Sequence, residues 1–288
     1  IPQGTLHAGL HVRPFTAPWP AVTGWPPGYP LLLAPLLALG VRATTATLVV
    51  SGACYVATHG LLGRLLQALT GRSDAGWAAL GLLVFPPLVE IGLRGWSEGP
   101  WLVAFLALCL ALARRPRAGL LVGSLSGALL LLRHASAVLL PLTLVAVAWR
   151  TRSRRATLQA ALGQGVVAGP WLAYSLWHAG RLGYPYAPHD TPPGALASMV
   201  LHGLHLSWSG PWSVVLEAWP LASLLALAAT VAAAVALWRS EGPVDRGLLA
   251  FVLAAGVAQV ASYVAVRLGH YLDDPDPRIL VPLTFGAL

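Results

Sequence analysis

Charged side chains are scarce in this 288-residue chain. They make up 10% of it, against ~25% in a typical soluble domain, and lysine and asparagine are absent altogether. Apolar residues take their place at 57%, and the mean hydropathy is +0.70. A soluble domain cannot bury that much apolar surface. The composition therefore excludes a disordered chain and a nucleic-acid-binding module, and it predicts an integral membrane protein.

Cysteine is also rare, because the chain holds two, Cys54 and Cys109, each alone in an apolar run. Two isolated thiols do not build the disulfide framework of a small secreted module. We expect both to pack in the apolar interior. No Ser-His-Asp arrangement, phosphate-binding glycine loop or metal-ligand pair has informative spacing, so we expect no metal site and no soluble cofactor.

Apolar runs recur along the whole chain, some of them short of the ~20 residues that a full membrane crossing needs. They cover 43–63, 76–94, 100–113, 118–132, 136–149, 156–177, 220–238 and 247–266, and a final run begins at 279. The sequence thus predicts one all-α, multi-pass transmembrane helical bundle over 1–288. It would have about eight complete spans plus a truncated one.

The basic residues, all 18 of them arginine, predict the orientation of the bundle. Most lie in one set of loops, which the positive-inside rule places in the cytoplasm. These are Arg64, Arg72, Arg114, Arg115, Arg117, Arg150, Arg152, Arg154, Arg155, Arg239 and Arg246. The outward-facing set comprises an N-terminal segment over 1–42 that ends in an interfacial helix, a tight loop at 95–99, a long loop over 178–219 and an acidic loop over 267–278.

Arginine clusters flank both ends of 118–149, so both ends are predicted to lie in the cytoplasm. The segment between them must then cross outward and return, which makes it a hairpin. Its turn falls at Arg133 and His134. Each arm reaches ~22 Å at 1.5 Å per residue, which is short of the ~30 Å hydrocarbon core. We therefore expect the turn to lie in protein or in a wet cavity rather than in lipid. Parity also places 1–29 outside, so we expect an earlier span before Ile1.

Five stretches, in order, resemble motifs of membrane glycosyltransferases of the GT-C type. They are WPPGYP at 25–30, SEGP at 97–100, AGLLVGSLSGALLLLRHASAVLLP at 118–141, the Pro-Trp pair at 170–171, and YLDDPDPR at 271–278 followed by ILVPL. Where that family often has an Arg-Asn pair, this chain has Tyr174-Ser175. The nearest group is that of the bacterial relatives of polyprenyl- or dolichyl-phosphate-mannose protein mannosyltransferases, also called family 39-like.

This resemblance implies a plasma-membrane enzyme whose active site faces outward. Such enzymes transfer a sugar from a polyprenyl-phosphate carrier to a lipid, polysaccharide or protein acceptor. Their catalytic acidic residue follows the first span, whereas here no Asp or Glu precedes Asp74. We therefore expect the catalytic base upstream of Ile1 and interpret the chain as a fragment that lacks the first span and the C-terminal part.

Several residues are candidates for the site that the resemblance implies. Arg278, which matches the family's late arginine, is the leading candidate for binding the donor phosphate. Tyr29 and Trp25 belong to the proline-aromatic motif. The weak catalytic candidates are Asp273, Asp276 and Glu98, although a carboxylate at the position of Glu98 could equally cap its helix.

Arg133 and His134 lie at the hairpin turn. A cation there could bind the lipid phosphate or could hold the hairpin together through backbone carbonyls, and the sequence does not decide between these roles. Two further hypotheses for the function of the whole chain stay open. One is a transporter or lipid flippase, and the other is a non-catalytic scaffold of the same fold.

Overall fold

A computed structural model gives the fold. It describes residues 5–6, 10–11, 26–81, 83, 88–89, 92, 97–179, 232, 235–236, 238–239, 242 and 244–269. Four of the residues singled out above lie outside this set, namely Trp25, Asp273, Asp276 and Arg278. Most of the 220–238 run, the final run from 279 and most of the two outer loops over 178–219 and 267–278 lie outside it as well.

The described chain is α-helical, which confirms the all-α prediction. The helices are α1 (Gly28–Ala38), α2 (Ala43–Thr70), α3 (Ala78–Gly81), α4 (Glu98–Arg114), α5 (Gly119–Leu132), α6 (Leu139–Thr151), α7 (Arg154–Ala179) and α8 (Arg246–Gly269). Two 3₁₀ helices, Asp74–Trp77 and His134–Val138, precede α3 and α6. A small exception is an antiparallel ladder of β1 (Thr5–Leu6) and β2 (Leu10–His11), which pairs Thr5 with His11.

The predicted hairpin is present as α5, the second 3₁₀ helix and α6. Helix α5 ends at Leu132, and Arg133 follows in an extended conformation with φ −152° and ψ 126°. The break therefore falls at the predicted turn. With 14 residues in α5 and 13 in α6, both arms are short, as the spacing of the arginine clusters requires.

Helix α4 is the central helix of the bundle. Its buried residues lie on every side of the helix, which is the pattern of an element covered all round. Trp101 and Phe105, which stack at 5.3 Å between ring centroids, are both buried within it. Cys109 is buried in this core, as predicted, whereas Cys54 on α2 is only half-buried, and both are free thiols.

Helices α5 and α7 lie backbone to backbone along a row of glycines. A Cβ atom on Gly119 or Gly123 would overlap the carbonyl oxygens of Ala156 and Ala160, and one on Gly163 would meet the Leu120 carbonyl oxygen. Small residues permit this approach, which gains van der Waals contact where lipid offers no hydrophobic driving force between helices. This contact surface, the glycine seam, fixes the hairpin against α7.

The bundle has two distinct ends. At the arginine-rich end, α2, α4 and α6 finish, and α5, α7 and α8 begin. There Arg150 pairs with Asp245, whose backbone N–H donates to the Leu69 carbonyl at 2.9 Å. The opposite end, called the Glu98 end, contains the starts of α1 and α4, the end of α5 and the second 3₁₀ helix.

Large apolar side chains cover much of the outside. Val56 on α2 is 71% exposed and Leu158 on α7 is 70% exposed, and similar residues recur on α6 and α8. Two helical stretches in the described chain, Ala43–Thr70 and His134–Thr151, are long and apolar enough to cross a membrane. Each buries a minor share of its apolar window, 28%, inside the protein, so neither is the covered core helix of a soluble domain. These features indicate membrane association.

Candidate functional site

Glu98 and Arg133, predicted separately as site candidates, meet at the Glu98 end. The Arg133 Nη1 donates to Glu98 Oε1 at 3.1 Å, across 35 residues of sequence. The Glu98 side chain is 11% exposed and that of Arg133 is 24% exposed. The carboxylate therefore contacts a cation rather than capping its own helix, and Arg133 contacts a carboxylate rather than backbone carbonyls.

The pair forms because two chain breaks bring its members together. Glu98 begins α4, where the positive end of the helix dipole favours a carboxylate. Arg133 leaves the end of α5, which packs beside α4. The turn after it is held by Trp101, whose indole Nε1 donates to Ser136 Oγ at 2.6 Å. Trp101 lies in the first turn of α4, so the start of α4 and the turn are joined by a hydrogen bond as well as by the ion pair.

The Glu98–Arg133 contact is a single one. In the described part of the chain, Glu98 Oε2 and the other N–H groups of Arg133 have no hydrogen-bond partner. A guanidinium carries five N–H donors in a fixed fork that fits carboxylate or phosphate oxygens in pairs. Arg133 thus keeps most of its donors available to a further oxygen-rich group.

Tyr29 lies beside this pair on the α1 side. Gly28 makes its placement possible, because a Cβ atom there would come 2.6 Å from the Leu131 carbonyl oxygen. The charge of Glu98 acts on the Tyr29 hydroxyl, and the Ser51 hydroxyl on α2 is its neighbour. The two hydroxyls do not meet the geometry of a hydrogen bond, and both are buried without a partner.

His134 joins the pair to α7. Its ring stacks on Trp171 with centroids 6.4 Å apart and planes 13° apart, and Trp171 in turn stacks on Tyr174 at 5.6 Å and 26°. Trp171 is 9% exposed, and its Nε1 is buried without a hydrogen-bond partner. An unpaired buried donor costs about 1–3 kcal/mol, so each such group calls for an explanation.

Hydrogen-bond donors outnumber acceptors around Arg133. The indole N–H of Trp171 is a donor only, and Tyr29 and Ser51 add hydroxyls that also lack partners. Glu98 is the one acidic residue at this end among the described residues, the other two being Asp74 and Asp245. An arrangement rich in unpaired donors suits a ligand that presents several acceptor oxygens, such as a phosphate or a sugar.

A separate open groove of about 540 Å³ lies on the other half of α2, beside the first 3₁₀ helix. His59, Arg64, Gln67 and Trp77 are among the residues that line it. It includes neither Glu98 nor Arg133, so it is not the site built by the predicted residues. No group of three or more His, Cys, Asp or Glu side chains within the described ranges could hold a metal ion.

The contact between Glu98 and Arg133 was not predicted. The sequence indicates at which end of the bundle each residue lies, but not the direction of its side chain. The available signal was that a lone acid and a lone base flank the same predicted end of two neighbouring helices. Trp171 was also not predicted as a residue of this site, because the sequence shows it only as part of the Pro-Trp motif. The chain matches no family model, no curated protein and no solved structure.

Proposed function

We propose that the protein is a multi-pass membrane glycosyltransferase. It transfers a sugar from a polyprenyl-phosphate carrier to a lipid, polysaccharide or protein acceptor at the outer face of the plasma membrane. The observation that carries this proposal is the Glu98–Arg133 pair, held near-buried at one end of an apolar bundle with most of its donors unused.

The reaction class needs two kinds of group. The acceptor hydroxyl oxygen bonds to the anomeric carbon while the bond from that carbon to the phosphate oxygen breaks. The electron pair of that bond leaves with the polyprenyl phosphate, and the acceptor proton passes to a carboxylate. Cationic donors stabilise the negative charge that develops on the departing phosphate.

In this proposal Arg133 binds that phosphate, and Glu98 is a positioning residue that orients the guanidinium through one oxygen. Arg278 is a second proposed phosphate ligand, and Tyr29 and His134 border the same ligand. Asp273 and Asp276 are the candidates in this chain for the carboxylate that accepts the proton. The arrangement needs no soluble cofactor.

The distribution of charge supports the proposed orientation. Most of the arginines that end or begin helices lie at one end of the bundle, opposite to Glu98, whereas Arg42 and Arg133 lie at the other end. By the positive-inside rule the arginine-rich end is cytoplasmic and the Glu98 end faces outward. A polyprenyl-phosphate carrier places its phosphate at the membrane surface and its tail among the lipids. The exposed apolar faces of α2, α6 and α7 suit contact with lipid at that depth.

The test compares binding of a C55 polyprenyl phosphate with binding of the uncharged C55 polyprenol to the purified protein in detergent micelles. We expect the phosphate to bind more tightly. We expect Arg133→Gln to lower its affinity by at least about tenfold, since a hydrogen bond to a charged group contributes about 1.5–3 kcal/mol. Arg64→Gln, the same change at an exposed position of the arginine-rich end, is the matched control.

A transfer assay in membranes follows, with a panel of polyprenyl-phosphate hexoses and pentoses as donors. We expect Arg133→Gln to lower transfer of the accepted sugar by the same factor or more. Equal affinity for the phosphate and the polyprenol would overturn the proposal. In that case a transporter or scaffold role would be the better interpretation, and a transport assay in liposomes would separate the two.

A further inference from the structure

The orphaned indole N–H of Trp171 is not explained by folding. Trp101, in the same region, shows the ordinary solution, because its Nε1 donates to Ser136 Oγ at 2.6 Å. Trp171 also has a buried N–H, and this one has no acceptor. Buried tryptophan N–H groups usually find a partner. The missing acceptor is therefore informative.

The stack around Trp171 restricts how a ligand can meet it. His134 covers the ring on one side and Tyr174 lies against it as well, at 6.4 Å and 5.6 Å between centroids. These neighbours fix the indole plane and with it the direction of the buried Nε1–H at the ring edge. A donor held in place by packing needs little ordering when it binds, which favours affinity.

The position of the stack limits which chemical groups a ligand can present to it. His134 follows Arg133 directly in the chain, so the indole and the guanidinium flank one turn at the Glu98 end. Both groups are donors only. A group that satisfies both must accept at least two hydrogen bonds, and a negative charge is favoured beside the guanidinium.

We infer that Trp171 is a ligand-binding residue of this site, whose indole N–H donates to an oxygen of the same phosphate that Arg133 binds. This inference rests on the proposed function, because it assigns a second donor to the donor phosphate. Trp171 fixes the orientation of that phosphate, and the stack of His134 and Tyr174 fixes Trp171.

The test uses Trp171→Phe, which keeps an aromatic ring in the stack and removes the N–H. We expect its affinity for C55 polyprenyl phosphate to fall about tenfold, with little change for C55 polyprenol. Trp149→Phe, at an exposed tryptophan of the arginine-rich end, should change neither affinity. Inorganic phosphate is the third ligand, and it separates a site for free phosphate from one that needs the lipid tail.

Thermal unfolding without ligand gives a readout that a structural role would move. Trp171→Phe and Trp101→Phe both remove ring volume from a buried site and should both lower the melting temperature through lost packing. Trp101→Phe also loses a buried hydrogen bond and should lower it further. A loss of stability in Trp171→Phe as large as that in Trp101→Phe would show that the Trp171 N–H serves folding and would overturn the inference.

The outcomes also separate the inference from the proposed function. If polyprenyl phosphate binds in an Arg133-dependent way and Trp171→Phe binds it equally well, the inference is wrong and the proposed function stands. If the unaltered protein does not prefer the phosphate to the polyprenol, both are wrong. Loss of phosphate affinity in Trp171→Phe, with a smaller loss of stability than in Trp101→Phe, supports both.

Discussion

The two ends of the bundle each contain an arginine–carboxylate pair, and the pairs are built differently. At the arginine-rich end, Arg150 donates to both oxygens of Asp245, at 2.8 and 2.7 Å. Asp245 Oδ1 also accepts from the Leu248 N–H at 2.9 Å, which caps α8. At the Glu98 end, Arg133 and Glu98 share one contact of 3.1 Å.

The difference teaches how to tell a structural pair from a site. Asp245 has both of its oxygens occupied, and it joins the end of α6 to the start of α8, so its bonds are used within the fold. Arg133 and Glu98 leave donors and an acceptor unused, and unpaired buried groups such as the Tyr29 hydroxyl surround them. A closed pair holds helices together, whereas an open pair can exchange partners with a ligand.

The glycine seam holds the hairpin against α7 by backbone contact, so the largest effect should come from breaking it. Gly123→Leu would force a side chain into the Ala160 carbonyl, and backbone cannot move aside cheaply. We expect a loss of about 3 kcal/mol or more in the free energy of unfolding, above the usual cost of overpacking. Reversible unfolding in mixed micelles measures it.

Gly165 on α7 is the matched control for the seam, because a Cβ atom there meets nothing within 4 Å. Gly165→Leu should be neutral or slightly stabilising. Equal losses in the two variants would mean that glycine is needed for backbone freedom rather than for close approach.

Matched isosteric changes test the contrast between the pairs. Asp245→Asn removes the charge of a twofold contact and weakens the α8 cap, so we expect about 2 kcal/mol of lost stability. Glu98→Gln should cost less, about 1 kcal/mol, because it weakens one hydrogen bond rather than two and removes no helix cap.

Unfolding of both variants in the same micelles gives the two values. A loss in Glu98→Gln as large as that in Asp245→Asn would show that the Glu98–Arg133 pair is also a structural clamp. The open-site interpretation would then lose its main support.

Lowering the pH should reduce the stability of the arginine-rich end. Hydrogen bonding from Arg150, together with the Leu248 N–H, lowers the pKa of Asp245 below its usual value, although partial burial opposes this. A carboxyl whose pKa is depressed by folding stabilises fully above its unfolded value of about 3.9. That stability is lost as the pH falls through the lower, folded pKa.

Melting temperatures between pH 6 and pH 2.5 check this expectation. The unaltered protein should lose stability over the acidic part of the range, and Asp245→Asn should lose less. Parallel curves for the two proteins would mean that other carboxyls cause the acid sensitivity.

The smallest effect concerns Arg152, which ends α6 in the left-handed conformation with φ 49°. Arg152→Gly relieves backbone strain that a side chain causes there, and the gain is partly offset by the greater freedom of glycine in the unfolded chain. We expect a gain of about 0.5 kcal/mol. A loss would indicate that the Arg152 side chain itself contributes to the stability of this end.

Helix positions could be predicted from sequence because hydropathy is a local property. The runs predicted to begin at 43, 100, 118, 156 and 247 correspond to helices that begin within two residues of those positions. Helix α2 outlasts its predicted end at 63, since a helix continues through polar residues until it meets a stop. That stop is Gly71, which caps α2 in the left-handed conformation.

The contacts of the site could not be predicted in the same way. The turn at Arg133 follows from arginine parity, but its contact with Glu98 depends on the rotation of α4 and α5 about their own axes. That rotation is set by packing, including the close approach of α5 to α7 through Gly123. The unpaired N–H of Trp171 could not be predicted at all, because the absence of a hydrogen-bond acceptor is visible only in three dimensions.

Arg133 also has a mechanical consequence through its place at the elbow of the hairpin. One arm, α5, is clamped by backbone contact to α7, whereas the other, α6, is held through side chains such as Gln164, which donates to the Leu140 carbonyl at 2.9 Å. The stiff arm and the compliant arm share this extended residue. We therefore expect a ligand that binds its guanidinium to displace α6 more readily than α5, and the Arg150–Asp245 pair joins the far end of α6 to the start of α8.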